Sequence, residues 1–337
     1  MMPFLRFNFL VSFLFVAGTL PNYAQEFNST QYYSNLPNTN PGFTGIDDYL
    51  DVKFSVNQGW NSFNITNNNI YISAFSSLNS SARTSVKNNA LRISTSAYGD
   101  ILPTNQLRRK HGMGGTLAGR NIGPYRSVTL GYNYAYHIPL SSKFNFSLGS
   151  RLAYFNQRID FSGFTVRETG DNLFDQLTRA GNANQSSFLM DFGAVLYSEK
   201  FYAALSSVNQ IKGKISGDNL LDYSELVTYQ FNTARNFRIA QTVQLNTGLR
   251  LTLKQGLDMG WAVNARFRYK ELLYIGSGFN NNSQLSLLFG LAFNPNFGLH
   301  YTYDQYLSSL SSFNVNAHEI VLGIGLFNKA HSQPKFW

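Results

Sequence analysis

Long segments of strict apolar–polar alternation dominate this chain, and they limit it to sheets with one greasy and one wet face. Val128, Leu130, Tyr132, Tyr134, Tyr136 and Ile138 fall on one side of such a strand, while Thr129, Gly131, Asn133, Ala135 and His137 fall on the other. Phe144, Phe146, Leu148, Leu152 and Tyr154 alternate in the same way with Asn145, Ser147, Gly149, Arg151 and Ala153. Further on, Leu245 to Leu253 alternate with Asn246, Gly248, Arg250, Thr252 and Lys254, and Val263, Ala265, Phe267 and Tyr269 with Asn264, Arg266, Arg268 and Lys270. An Arg or Lys facing lipid costs roughly 2–4 kcal/mol at the midplane, so these basic faces belong to a lumen. Strands of soluble sheets run near 5–6 residues, and the segments here are longer.

After residue 24 no window approaches the apolar length of roughly 18 residues that a helical span requires. Only 13% of residues are charged, against about 25% in an average soluble domain, while 29 Phe and 20 Tyr add apolar surface. The absence of cysteine rules out a disulfide framework, a thiolate metal site and a lipid-bearing cysteine. The net charge of +9 comes from Lys and Arg scattered singly, apart from Arg108-Arg109-Lys110, which describes a basic lumen or loop surface and no nucleic-acid interface.

Residues 4–20 form an apolar stretch carrying Arg6, followed by Pro21 and by Ala24 before Gln25, the pattern of a secretory signal peptide spanning 1–24. Strand centres near residues 54, 72, 115, 132, 150, 191, 204, 229, 245, 263, 276, 289, 300 and 322 predict an all-β fold. The expected architecture is a transmembrane antiparallel barrel of about 14 strands, within 12–16, in an outer membrane. It spans 25–327, and 328–337 form a short tail. With the first strand rising from the periplasm, short connections at 139–143, 198–200, 234–236, 270–271 and 295–296 lie on the periplasmic side. Longer ones at 156–185, 210–224 and 305–316 lie outside, as barrel loops do. Residues 78–110 break that rule as a long periplasmic connection, unless 91–98 add strands.

There is no GxSxG, HExxH, P-loop or cysteine nucleophile, and the five histidines are dispersed without metal-ligand spacing. The chain is therefore expected to be no enzyme and to hold no cofactor or metal. One reading that survives is a passive porin or small-solute transporter whose Arg151, Arg250, Lys254, Arg266 and Arg268 select anions. Another starts from residues 25–45, where Tyr32, Tyr33, Leu36 and Phe43 surround the turn Asn40-Pro41-Gly42. Four large apolar residues do not stay free in water, so segment 25–49 is expected to pack at the periplasmic mouth of the barrel.

Gln25-Glu26-Phe27 with Gln31-Tyr32, and the turn Asn40-Pro41-Gly42-Phe43-Thr44-Gly45, resemble the start of mature PorP/SprF proteins of type IX secretion. The resemblance continues in Gln58-Gly59-Trp60, with Gly59 as an insertion, in His111-Gly112-Met113-Gly114-Gly115, in Gly123-Pro124 and in Tyr134 to His137. Near the end, Tyr301, Tyr303, Asp304, Ser308, Leu310, His318, Glu319 and Ile320 carry it, Ala317 replaces the usual Ser, and the last strand is expected to close on Phe327.

The resemblance implies a non-enzymatic outer-membrane component of type IX secretion, associated with gliding motility or adhesin export. Its implied partners are outer-membrane lipid, the translocon or its periplasmic ring, and adhesin-like cargo recognised through a C-terminal sorting domain. It marks Asn40, Pro41, Gly42, Gly45, Trp60, His111, Gly112, Tyr303, Asp304, His318 and Glu319 as positions of structural or partner contact.

Overall fold

The computed structural model describes residues 31–59, 67–78, 109–141, 143–160, 183–217, 226–307 and 316–328. The stretch 1–24 expected to be a signal peptide, Gln25 to Phe27, Trp60, residues 91–98, Ser308, Leu310 and the tail from 329 lie outside these described residues.

The alternating segments form fourteen strands: β1 (Leu50–Gly59), β2 (Asn67–Ser77), β3 (Lys110–Ile122), β4 (Tyr125–Pro139), β5 (Asn145–Ile159), β6 (Ala183–Tyr197), β7 (Phe201–Gly217), β8 (Thr228–Arg238), β9 (Val243–Lys254), β10 (Gly260–Tyr269), β11 (Leu273–Asn280), β12 (Gln284–Asn294), β13 (Phe297–Tyr306) and β14 (Asn316–Leu326). Each pairs antiparallel with its neighbours in sequence, and β1 closes on β14 from Leu50↔Leu326 to Gly59↔Ala317, so the sheet is a barrel without an edge. Every expected strand centre falls within one of these strands.

Because side chains alternate with period two, each strand splits between wall faces. Leu130, Tyr132, Leu148, Leu152, Leu205, Ile275 and Leu287 stand exposed on the outside, whereas Asn133, His137, Ser147, Asn232, Asn246 and Thr302 are buried within. An apolar band of this extent around a whole molecule is far larger than a soluble surface tolerates, and lipid is the medium that satisfies it. Among the described residues no helix is long and apolar enough to cross a membrane.

The rim that carries Leu50 and Leu326 has the short connections 140–144, 198–200, 239–242, 270–272 and 295–296, together with the long 78–109. The turn expected at 234–236 therefore lies later. Ala234, Arg235 and Asn236 remain in β8, opposite Gly248, Thr247 and Asn246, and the turn closes where Ile239 N and Ala240 N donate to Val243 O. The outward series Phe231, Thr233, Arg235, Phe237 carries the strand on to the rim. At the opposite rim residues 156–159, 183–185 and 210–217, expected in loops, extend β5, β6 and β7. Mostly polar side chains do not end a strand whose partner continues beside it, and Asn156 and Arg158 pair with Val128 and Arg126.

β7 carries a bulge: register with β6 shifts between Met190 and Phe192, and Asn209 takes φ 56°. β14 ends at Leu326 and not at Phe327, whose φ of 59° turns the backbone out of the sheet and leaves its ring 79% exposed.

Candidate functional site

Residues 31–49 lie inside the barrel. Short helical turns at Tyr32–Asn35, Leu36–Thr39 and Pro41–Phe43 compact the segment, with Pro37 and Pro41 at helix starts where no N–H is needed. At its middle, Asn40 is wholly buried and works in two directions: Oδ1 accepts from Gly42 N at 2.8 Å, capping the turn, and Nδ2 donates to Leu205 O at 2.9 Å.

The wall is shaped to receive this turn. Lumen-facing Gly112 of β3, Gly149 of β5 and Gly193 of β6 leave the space where a Cβ would stand 1.9 Å from Thr44 O, 2.4 Å from Pro41 O and 1.9 Å from Asn40 Oδ1 respectively. Gly45, at φ +74°, turns the chain back beside Gly112. Around these approaches the lumen supplies donors: Ser147 Oγ to Gly42 O at 2.7 Å, Asn133 Nδ2 to Pro37 O at 2.8 Å, and Lys110 Nζ to Ile46 O at 2.7 Å. His137 Nε2 lies 2.8 Å from Thr44 O, and a carbonyl only accepts, so Nε2 carries the proton and Nδ1 faces Tyr197 Oη at 2.8 Å.

Apolar groups complete the seat. Leu36, Phe43 and Ile46 form one buried cluster with Val195, Tyr197, Tyr202, Ala204 and Ala234, and the Phe43 ring meets Tyr202 edge-on at 5.0 Å and 84°. Fully burying a side chain such as Phe43 or Leu36 is worth about 1.5–3 kcal/mol, so this cluster outweighs any single hydrogen bond of the seat, at about 1 kcal/mol.

Deeper in the lumen the basic face holds the segment's tyrosines. The Arg266 guanidinium lies 3.5 Å from the Tyr33 ring centroid and donates to Asn246 Oδ1, and Arg250 lies 5.1 Å from the Tyr32 ring. Asn264 Nδ2 donates to Tyr32 Oη at 2.8 Å. Burial pushes the Tyr33 phenol up to about 12, with Arg266 opposing part of the rise, so Tyr33 is neutral and meets Arg266 as an aromatic ring. Arg151 pairs with Asp191 and also donates to Asn38 O at 2.9 Å, while Asp191 Oδ1 accepts from Asn209 N and so ties the β7 bulge to the seat. The segment reaches Glu319 of β14, where Gln31 Nε2 donates to Glu319 O, and so extends well past the mouth. The basic lumen residues Arg151, Arg250 and Arg266 thus contact an inserted segment instead of lining open water.

The motif positions do not converge on one site. Asn40, Pro41, Gly42, Gly45 and Gly112 meet at the seated turn, and Glu319 joins its inner end, with Ser55 Oγ 3.4 Å from Glu319 Oε1. Asp304 faces the lumen elsewhere and accepts from Ser286 Oγ. His111, Tyr303 and His318 face outward: His111 bonds Tyr134 Oη, His318 bonds Tyr301 Oη, and Tyr303 Oη donates to Gln305. Trp60 lies outside the described residues. Sequence reasoning missed Asn133, His137, Ser147, Gly149 and Gly193 as a seat for the segment, and read Arg151 only as an anion-selecting lumen residue. Their signal was present, since all but Gly193 stood on polar faces of the alternation, but alternation does not say what fills a lumen. Among the described residues no group of three or more His, Asp or Glu could hold a metal ion.

The chain is similar to solved outer-membrane barrels along most of its length. These include Omp33 of Acinetobacter baumannii (9% identity, TM-score 0.45, 84% of this chain and 100% of that one). They also include the toluene transporter TodX of Pseudomonas putida (9%, 0.46, 91% and 98%), and the translocator domain of the autotransporter NalP from Neisseria meningitidis (8%, 0.38, 83% and 88%). No curated protein matches. Residues 22–324 match the family model of the type IX secretion system membrane protein PorP/SprF, and the chain therefore belongs to the PorP/SprF family, outer-membrane components of type IX secretion.

Proposed function

We propose that this barrel works by binding: it holds a secreted, adhesin-like protein through the cargo's C-terminal sorting domain, or docks that cargo to the translocon or its periplasmic ring, without catalysis. The observation that carries the reading is the seated segment 31–49, whose Phe43 is fully buried in the wall and whose Tyr32 and Tyr33 are clasped by Arg250 and Arg266. A diffusion pore keeps its lumen for solute, whereas this lumen is filled by the chain's own segment 31–49, which counts against the passive porin. The rim bearing Leu50 and Leu326 faces the periplasm in this reading, because its turns are the short ones. The seated segment then presents the exposed Asp48, paired with Lys110, toward the compartment where cargo arrives.

Deleting residues 27–45 tests this. The expected outcome is a barrel that still inserts, shown by heat-modifiable mobility, but no longer supports export of a large surface adhesin. Normal export by the inserted deletion would overturn the docking role. Anion-selective conductance by the intact protein would favour the porin.

A further inference from the structure

The outer wall carries a groove of about 610 Å³ across β5 to β9, within the range of about 300–1,000 Å³ typical of ligand sites. Leu148, Phe192, Leu205, Tyr229, Phe231 and Leu253 are among its lining side chains, all facing away from the lumen; its β5–β7 end, with Gly149 and Gly193 in the floor, lies nearest the Leu50/Leu326 rim, and its β9 end reaches Met259 at the opposite rim. It exists because Ala194 and Ser207 stand between larger neighbours in the cross-strand rows Ala194–Leu205–Phe231–Leu251 and Phe192–Ser207–Tyr229–Leu253.

Toward the Leu50/Leu326 rim the outward face continues through Ala203 and Thr233, whose hydroxyl is satisfied by Tyr202 O at 2.8 Å, to Arg235 opposite Phe201. Arg235, Lys143, Lys200 and Arg238 are exposed at this edge of the barrel, and among the described residues none of them forms a salt bridge. On one strand face Arg235 lies four residues from Phe231, roughly 14 Å at 3.4 Å per residue. At a barrel strand tilt of about 40° this is roughly 10 Å along the membrane normal, inside one leaflet, half of a hydrocarbon core of about 30 Å.

We propose that the β5–β7 end of this groove is a binding site for one phospholipid of the periplasmic leaflet, its acyl chain between Leu148, Phe192 and Leu205 and its phosphate against Arg235 and Lys200. A mobile acyl chain fits a greasy furrow of this size, and an anionic headgroup answers cations that lack a carboxylate partner at the rim. Bulk lipid touches every barrel; the claim here is a retained, stoichiometric one. It rests on placing the Leu50/Leu326 rim in the periplasm. That placement is checked separately by a Lys200→Cys variant, which an impermeant maleimide must fail to label on intact cells.

The test is native mass spectrometry of the barrel extracted in mild detergent, with Ala194→Trp and Ser207→Trp to fill the groove and Lys200→Glu with Arg235→Glu to reverse the rim. Wild type is expected to retain a single phospholipid, and both kinds of variant to lose it about tenfold while keeping heat-modifiable folding. The charge variants lie at the exposed rim, so they report even if a tryptophan disturbs assembly. Equal retention in wild type and variants, retention of lipopolysaccharide in place of phospholipid, or a protein adduct from a photocrosslinker at Ser207 would each overturn the proposal.

Discussion

Gly112→Ala separates the seat from the barrel that bears it. A Cβ at this position would stand 1.9 Å from Thr44 O, 2.5 Å from Thr44 C and 2.9 Å from Gly45 Cα, all backbone of the inserted segment, so residues 44–45 must withdraw. Withdrawal breaks the bond from His137 Nε2 to Thr44 O and that from Asn133 Nδ2 to Thr44 Oγ1. Leaving such buried partners unsatisfied costs about 1–3 kcal/mol, and overpacking adds about 1–3 kcal/mol. A total near 3 kcal/mol raises the unseated population about a hundredfold. The chain has no cysteine, so a single Leu36→Cys, at a position 5% exposed, reports seating through its maleimide-labelling rate in detergent. Gly112→Ala in that background is expected to label about a hundred times faster, with unchanged heat-modifiable migration. An unchanged rate in a folded barrel would refute the steric account of the glycine seat.

Arg266→Met removes the guanidinium over Tyr33 and its bond to Asn246, and at about 2 kcal/mol for a desolvated contact the Leu36→Cys label should react about thirtyfold faster. Tyr33→Phe keeps the ring and should change the rate little; a rise in labelling rate as large as that of Arg266→Met would argue against the ring as the partner. Asp191→Ala strips Arg151 of its carboxylate and Asn209 N of its acceptor, and breaking a buried pair costs about 3–5 kcal/mol. The unfolding temperature in detergent should drop, and no change would show that the pair is dispensable. Phe327→Ala is expected to lower the yield of assembled barrel without altering the heat resistance of what assembles, since the ring is exposed beyond β14; full yield would remove the assembly signal from that position.

The wall was legible in the sequence because one physical constraint, lipid on one side and polar groups on the other, acts at every second residue of every strand. Strand ends were less legible. Ala234-Arg235-Asn236 reads as a turn by composition, yet Arg235 lies opposite Phe201 and Thr247 within the sheet, and the choice depends on where the neighbouring strand stops. The Asn209 bulge depends on Asp191, far off in sequence, and leaves no local mark.

The inserted segment was recognisable from Tyr32, Tyr33, Leu36 and Phe43, but its depth was not. Depth follows from glycines on three strands falling at one level of the wall, which only the register reveals. The outward placement of His111 and His318 could have been read, since each shares a face with its tyrosine partners and a slip of one residue reverses a face.

The central claim is that this barrel is a binding component of secretion whose lumen its own N-terminal segment occupies. Crosslinking in the native outer membrane, purification in mild detergent and identification of what comes with the barrel by mass spectrometry test it most directly. Recovery of translocon subunits or a very large surface protein is the predicted result, and a lone barrel that conducts ions in planar bilayers would contradict it.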